Sequence, residues 1–439
     1  MTDLEKSFGA YLRQLRLAAG MSLNDLSAAA RYDKGHLSRI ESGSRPPTAD
    51  LARACDAALD AGGALIARLP AATRRRPPAP TPPPATTEPA GDTWSLTLWP
   101  DGAGYMSARR YGHPAATDEP AVIGWPPMRQ AGEPEATSIA TVFSAVTDLG
   151  RRHSPALVLP QVITLLQTTR GLAAATRGTD QARLLHLAAR LAEYAGWMSQ
   201  ETGDGRAARW WTRACSDLAR EIGDDNLVAY TNVRRALLSL YDDDPLTTIA
   251  AAGSLRGRHG VTTRVRWLAA MREAQGHALA GDRDGCRRTL DEARTLHDRI
   301  GDDEPVRPLG TTSTLDVTAA VEGWCLHDLG HHAEAAGHLA TALHSTTNQI
   351  AGAVPAERTP VRFAVRRVLA LTAAGDVETG CALMAGLLPD VLRLDSATVR
   401  HDLGDLARML TRWQHLEPVR ALRPRLAAAL TRPDAAAAG

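Results

Sequence analysis

Apolar residues recur every three or four positions along most of this chain, the spacing of a helix with one buried face. In residues 1–70 the pattern breaks into short helices with explicit start and stop signals. Phe8, Leu12, Leu15 and Leu17 supply the inner face of a first helix that stops at Gly20. Ser22 is a good N-cap, and Asp25 stands three residues later, the spacing of a reciprocal capping box. A second helix therefore starts here, with Leu23 and Leu26 turned inward. Asp33 caps a third helix from Lys34 to Glu41, whose Leu37 and Ile40 face the core. Ser42-Gly43 ends it, Pro46-Pro47 forces an extended link, and Thr48 caps a fourth helix with Leu51, Ala54 and Cys55 inside.

The pattern then changes twice. Residues 71–134 are rich in Pro, Thr, Gly and Arg, and the stretch from Arg74 to Gly91 reads as an extended spacer. Within it, strand-like residues flank an Asp101-Gly102 turn, predicting a small β-hairpin over 94–110. An isolated hairpin is marginal in water, so its Trp94 and Trp99 are expected to dock on neighbouring helices. Residues 135–432 read almost wholly as amphipathic helix broken by Gly-Asp turns. Four stretches, from Glu193, Arg272, Val321 and Val365, align as helix, turn, helix. Their turn glycines are Gly203, Gly281, Gly330 and Gly375, expected as left-handed caps, with Asp204, Asp282 and Asp376 starting the next helix. These stretches resemble tetratricopeptide repeats, although they are spaced more widely and less regularly than that family's period of about 34 residues. The expected architecture is all-α: a helix-turn-helix domain, a Pro-rich linker carrying the hairpin, and a solenoid of roughly six helix pairs.

Composition sharpens this picture only locally. Apolar residues make up 44% and charged residues 23%, an ordinary globular balance. The net charge is only +1, so any nucleic-acid contact must come from a local basic patch. Lys6 and Lys34 are the only lysines among 50 basic residues, which points to a GC-rich genome more than to guanidinium chemistry. Met1 to Phe8 is charged and unlike a secretory leader, and no run of about 18 apolar residues suggests a membrane span. The five scattered cysteines read as reduced packing residues of a cytoplasmic protein. No nucleophile elbow, P-loop or dinucleotide fingerprint is present, so an enzyme is not expected.

The chemistry lies in the third helix. With Leu37 and Ile40 turned inward, Lys34, Gly35, His36, Ser38 and Arg39 form its outer face. A polar, basic helix following a tight turn suits the major groove, with its first residues at base edges and the rest at phosphates. Ser22, Asn24, Arg31 and Arg45 flank the same side and are candidates for phosphate contact. The stretch Leu37-Ser38-Arg39-Ile40-Glu41, with Leu26 and Gly43, resembles the Cro/C1-type, xenobiotic-response-element family of λ-repressor-like helix-turn-helix domains. That resemblance implies that the helix from Lys34 is the recognition helix and that Glu41 is a structural ion-pair partner. The chain departs from the family at Arg31, where Gly is common, and at Leu23, where Gln is common, so no operator is inferred. Gly35 costs about 1 kcal/mol against Ala in a helix interior, through close approach to DNA or through drift. The whole layout resembles a class of actinobacterial regulators, which implies transcriptional control.

For the helical segment, Tyr230, Asn232, Arg235, Gln275, Arg362 and Arg366 lie on the first helices of repeats, with polar ends suited to a peptide backbone or a carboxylate. A dimerisation surface is the equal alternative. His327, His331, His332, His338 and His344 are read as solvated turn histidines, because Gly330 interrupts the helical spacing of the first two. The acidic run Asp242-Asp243-Asp244 is read as the cap of a helix beginning at Pro245. No metal and no cofactor are expected. The overall expectation is a homodimeric regulator of a duplex DNA operator, with a peptide, small-molecule or protein effector on the solenoid. A protein-interaction scaffold with an auxiliary DNA role is the rival.

Overall fold

The computed structural model describes residues 3–30, 32–43, 47, 49–59, 61, 64–68, 91–98, 104–111, 121–125, 128–300, 308–310, 315–347 and 357–431. It divides into two compact units, 1–89 and 90–438.

Among its described residues the first unit holds five helices: α1 (Asp3–Ala18), α2 (Leu23–Ala30), α3 (Lys34–Glu41), α4 (Ala49–Ala58) and α5 (Ala64–Ala67). Their shared core is Phe8, Leu12, Leu26, Leu37, Ile40, Leu51, Cys55 and Leu65, all 1% exposed or less. Leu17 departs from expectation and is 59% exposed. It stands five positions after Leu12, about 140° around the helix, and so falls off the face set by Phe8, Leu12 and Leu15. Gly9 explains how closely α1 and α3 approach: a Cβ there would lie 2.1 Å from the Ile40 carbonyl oxygen. The expected cap at Thr48 lies outside the described residues.

The second unit opens with an antiparallel sheet of three strands, β1 (Gly91–Leu98), β2 (Gly104–Tyr111) and β3 (Ala121–Trp125), in the order β1-β2-β3. The hairpin expected over 94–110 is there, paired from Gly91 opposite Tyr111 to Leu98 opposite Gly104. The third strand is additional. The Asp101-Gly102 turn, Trp99 and the side chain of Trp94 lie outside the described residues.

The helices that follow are α6 (Glu133–Arg152), α7 (Pro155–Ala175), α8 (Gly178–Thr202), α9 (Gly205–Glu221), α10 (Asp225–Tyr241), α11 (Pro245–Gly253), α12 (Thr263–Leu279), α13 (Arg283–His297), α14 (Val317–Asp328), α15 (His332–Thr347), α16 (Arg358–Ala373), α17 (Val377–Leu394), α18 (Ala397–Leu410) and α19 (Glu417–Leu430). Among the described residues they stack as seven consecutive pairs, a tetratricopeptide-like solenoid one pair longer than expected. Glycines 203, 281, 330 and 375 all adopt positive φ, between 75° and 93°. Asp204, Asp282 and Asp376 accept from the backbone N–H of Ala207, Gly285 and Thr379 at 2.8, 2.9 and 3.4 Å. Gly223-Asp224 is a further turn of the same kind, with a 2.8 Å cap from the Leu227 N–H. Asp244 caps α11 through the Thr247 N–H at 3.0 Å, the role expected of the acidic run. All five cysteines are buried thiols, and burial pushes Cys55 up to about 12. No helix among the described residues is long and apolar enough to cross a membrane.

One charge cluster ties distant pairs of this unit together. Arg358, at the start of α16, donates to the carbonyls of Gly150 at 3.2 Å and His153 at 2.5 Å, both at the end of α6. It also pairs with Glu201 of α8 at 3.2 Å and donates to the Leu394 carbonyl at 3.3 Å. Glu201 accepts from the hydroxyls of Ser396 and Thr398 as well. Burial works against the charge on Glu201, but Arg358, Arg362 and the two hydroxyls outweigh it and hold its pKa down. The first helix of the sixth pair thus reaches back to the first two pairs, and α6, α8 and α16 are clamped together.

Candidate functional site: the helix-turn-helix surface and the helical-unit cavity

The capping residues aim α2 and α3. Ser22 and Asp25 exchange hydrogen bonds, 2.8 Å from the Ser22 N–H to Asp25 and 3.2 Å from the Asp25 N–H to the Ser22 hydroxyl. These bonds lower the Asp25 pKa. Asp33 caps α3 through the His36 N–H at 2.9 Å. Gly35 has a local cause: a Cβ there would lie 3.1 Å from the capping carboxylate oxygen of Asp33.

The far end of α3 is locked from inside. Arg16 makes a two-pronged bond to Glu41 at 2.7 and 2.8 Å, and its remaining arm donates to the Met21 carbonyl at 2.9 Å. One side chain thereby fixes the end of α1, the turn into α2 and the end of α3. Because Glu41 is turned inward, its charge does not offset the outer face. Lys34, Gly35, Ser38 and Arg39 are exposed there, with Ser22 and Asn24 exposed on α2 and its cap. Arg39 folds along the helix and donates to the Gly35 carbonyl at 3.0 Å. His36 differs from expectation: it is half-buried, its ring edge-on to Tyr32 at 5.9 Å. Tyr32 occupies the space beside α3 and takes the imidazole out of full solvent. Arg31 and Arg45 lie outside the described residues.

The helical unit forms a cavity of about 450 Å³ that is partly open to solvent. It is lined by the first helices of the first six pairs, α6, α8, α10, α12, α14 and α16, with Pro308 and Gly310 before α14. Three of these contribute the same helical positions: Ser144, Thr147, Asp148 and Arg151; Arg190, Glu193, Tyr194 and Trp197; Tyr230, Val233, Arg234 and Leu237. That i, i+3, i+4, i+7 register is one helix face repeated along the stack. Among the described residues the lining carries six arginines against three carboxylates. Arg151 lies 3.5 Å from Asp148, Arg190 donates to the Pro308 carbonyl at 3.3 Å, and Arg234 bonds Gln200 at 2.9 Å with Glu193 at 3.9 Å. Desolvation raises the Glu193 pKa against the pull of Arg234 and Arg190. Arg272 is 7% exposed, and its Nη1 meets no acceptor. Burial, then the neighbouring Arg362, lowers its pKa to about 10. Arg362 also leaves its Nε without an acceptor, and its guanidinium lies 5.5 Å from the Trp324 ring centre.

Of the six expected ligand residues, Tyr230 and Arg362 line this cavity. The other four do not. Asn232 and exposed Arg235 bond each other at 3.4 Å, off the inner face of α10. Gln275 is fully buried within α12, with no partner for its amide. Arg366 stacks 3.1 Å above the Trp324 ring centre and pairs with buried Asp402 at 2.8 Å, a packing role. Arg190, Glu193, Arg234, Arg272 and Arg358 are the inner residues that sequence reasoning missed. The histidine turn also differs: His332, rather than His331, faces His327 at 3.3 Å. The His327 ring is half-buried rather than solvated, and desolvation with nearby His332 and Arg366 lowers its pKa to about 4.

Residues 7–69 match the family model described as a helix-turn-helix domain. No curated protein matches the chain. Among solved structures, a Rap protein complexed with competence and sporulation factor is similar at 10% identity and a TM-score of 0.41. The likeness covers 67% of this chain and 98% of that one.

Proposed function

We propose that the protein is a sequence-specific DNA-binding transcriptional regulator whose helical unit dimerises and senses a signal. The observation that carries this reading is the outer face of α3 within a helix-turn-helix domain. It is exposed, polar and basic, and capping at one end and the Arg16–Glu41 lock at the other hold it rigidly. Lys34 and Gly35, at the start of α3, go to base edges. Ser38, Arg39, Ser22 and Asn24 meet phosphate or sugar. His36, pinned against Tyr32, contributes through its edge. Each protomer reads one half-site, and a homodimer sets two recognition helices about 34 Å apart.

The helical unit supplies the regulated part. Its cavity is formed jointly by six helices of the stack, so an occupant that orders them alters the arrangement of the dimer. Selection of bound duplexes from a random pool by the intact protein tests the first half of the reading. Enrichment of one motif with two-fold symmetry supports a regulator. Retention of duplexes without a shared motif would favour the scaffold reading instead.

A further inference from the structure

The inner cavity has an imbalance that the rest of the fold does not explain. A buried guanidinium loses hydration worth several kcal/mol, which a hydrogen-bonded counter-charge must offset. Arg358 has Glu201 at 3.2 Å, Arg234 has Glu193 and Gln200, and Arg151 has Asp148. Arg272 and Arg362 have no carboxylate within 4 Å among the described residues, although both reach the cavity wall. They are close enough for the charge on one to disfavour the charge on the other. Arg362 keeps its charge against burial through Tyr241, Glu201 and Asp402, whereas burial and Arg362 together disfavour the charge on Arg272, the cation of this wall that an added anion would relieve most.

The remaining wall narrows the anion's chemistry. Phe143, Tyr194, Trp197 and Phe363 give it a broad aromatic surface, extended by Leu268 and Val317. Its volume, about 450 Å³, lies within the roughly 300–1,000 Å³ usual for small organic ligands. Among the described residues no Asn or Gln lines it, and these amides are the side chains that pair with both edges of a peptide backbone. Asn232 and Gln275, the amides expected for that task, lie off the wall.

We infer that this cavity binds a small amphipathic organic acid, its oxyanion held by Arg272 and Arg362 and its apolar body against the aromatic wall. The inference rests on the reading of the helical unit as the sensor and names the chemical class of its signal.

The test uses two probes of nearly the same shape on the intact protein. One is 8-anilinonaphthalene-1-sulfonate, an aromatic anion; the other is its neutral relative N-phenyl-1-naphthylamine. The wild type is expected to bind the sulfonate at one site, about ten-fold or more tighter than the neutral probe, as charge-assisted hydrogen bonds imply. Arg272→Met is expected to remove that preference while leaving neutral binding, and Arg272→Lys to restore part of it. Should Arg272→Met fail to fold by circular dichroism, Ser144→Trp serves instead. It keeps every arginine, sits on the exposed rim and should exclude both probes. Equal affinity for the two probes, or sulfonate binding untouched by the folded variants, would overturn the inference. Duplex selection on the same preparation separates the failures: a shared DNA motif without anion preference sinks only the ligand class, and anion preference without a motif sinks only the regulator.

Discussion

Replacing Arg16 by Leu leaves the Glu41 carboxylate, 6% exposed, without its partner. Breaking a buried ion pair from one side costs about 3–5 kcal/mol. This pair sits in a small domain, so the lower figure, about 3 kcal/mol, is the appropriate one. A domain the size of residues 7–69 has roughly 3–9 kcal/mol in total, at about 0.05–0.15 kcal/mol per residue. The single change therefore removes a third or more of its stability. The double change Arg16→Leu/Glu41→Leu removes both charges and should return to within about 1 kcal/mol of wild type. Hydrogen exchange of α1–α4 in the intact protein reports this locally, without interference from the helical unit. A loss of 3 kcal/mol appears as about a hundred-fold drop in protection, at 1.36 kcal/mol per decade. Protection within ten-fold of wild type in the single variant, or equal losses in both variants, would refute the lock.

Asp33→Ala removes the α3 cap and should lower the stability of the first unit by about 1 kcal/mol, read as a lower melting temperature and weaker DNA binding. The pKa of His327, lowered from 6.5 to about 4, means that the unfolded chain takes up the proton first. The stability of the helical unit should be full above pH 6.5 and decline as pH falls from 6.5 towards 4, and a melting series on His327→Leu should be flatter over that window. Arg358→Met strands Glu201, 1% exposed, and should cost about 3–5 kcal/mol. Hydrogen exchange should accelerate in α16–α19 and at the end of α6, with α1–α4 unaffected.

The helices α1, α2 and α3 were legible because their boundaries rest on local chemistry, with Ser22 and Asp25, Asp33, Gly20 and Gly43 acting through their near neighbours, whereas the short α5 carried no such signal. What was not legible there depends on distance in the chain. Nothing near Glu41 marks Arg16 as its partner 25 residues earlier, and nothing near Gly9 announces the carbonyl of Ile40. In the helical unit the Gly-Asp turns reveal the repeat, but α18 and α19 meet at a short 3₁₀ turn, Thr411–Trp413, so the seventh pair carried no such signal. The cavity was misread for a different reason. Polar side chains were assigned to the ligand by type, whereas position decides: Arg234 faces inward and Arg235 does not. Aligning the first helices by register, Arg190 to Trp197 on Tyr230 to Leu237, finds the inner face from the sequence itself.

The most direct test of the central claim is genome-wide occupancy of the intact protein against a Lys34→Ala/Arg39→Ala variant. Both residues are exposed on α3 and outside the core, so the variant should fold as the wild type does. The account predicts sharp wild-type peaks that share a two-fold motif and vanish in the variant. Diffuse occupancy, or peaks that survive the double change, would contradict it.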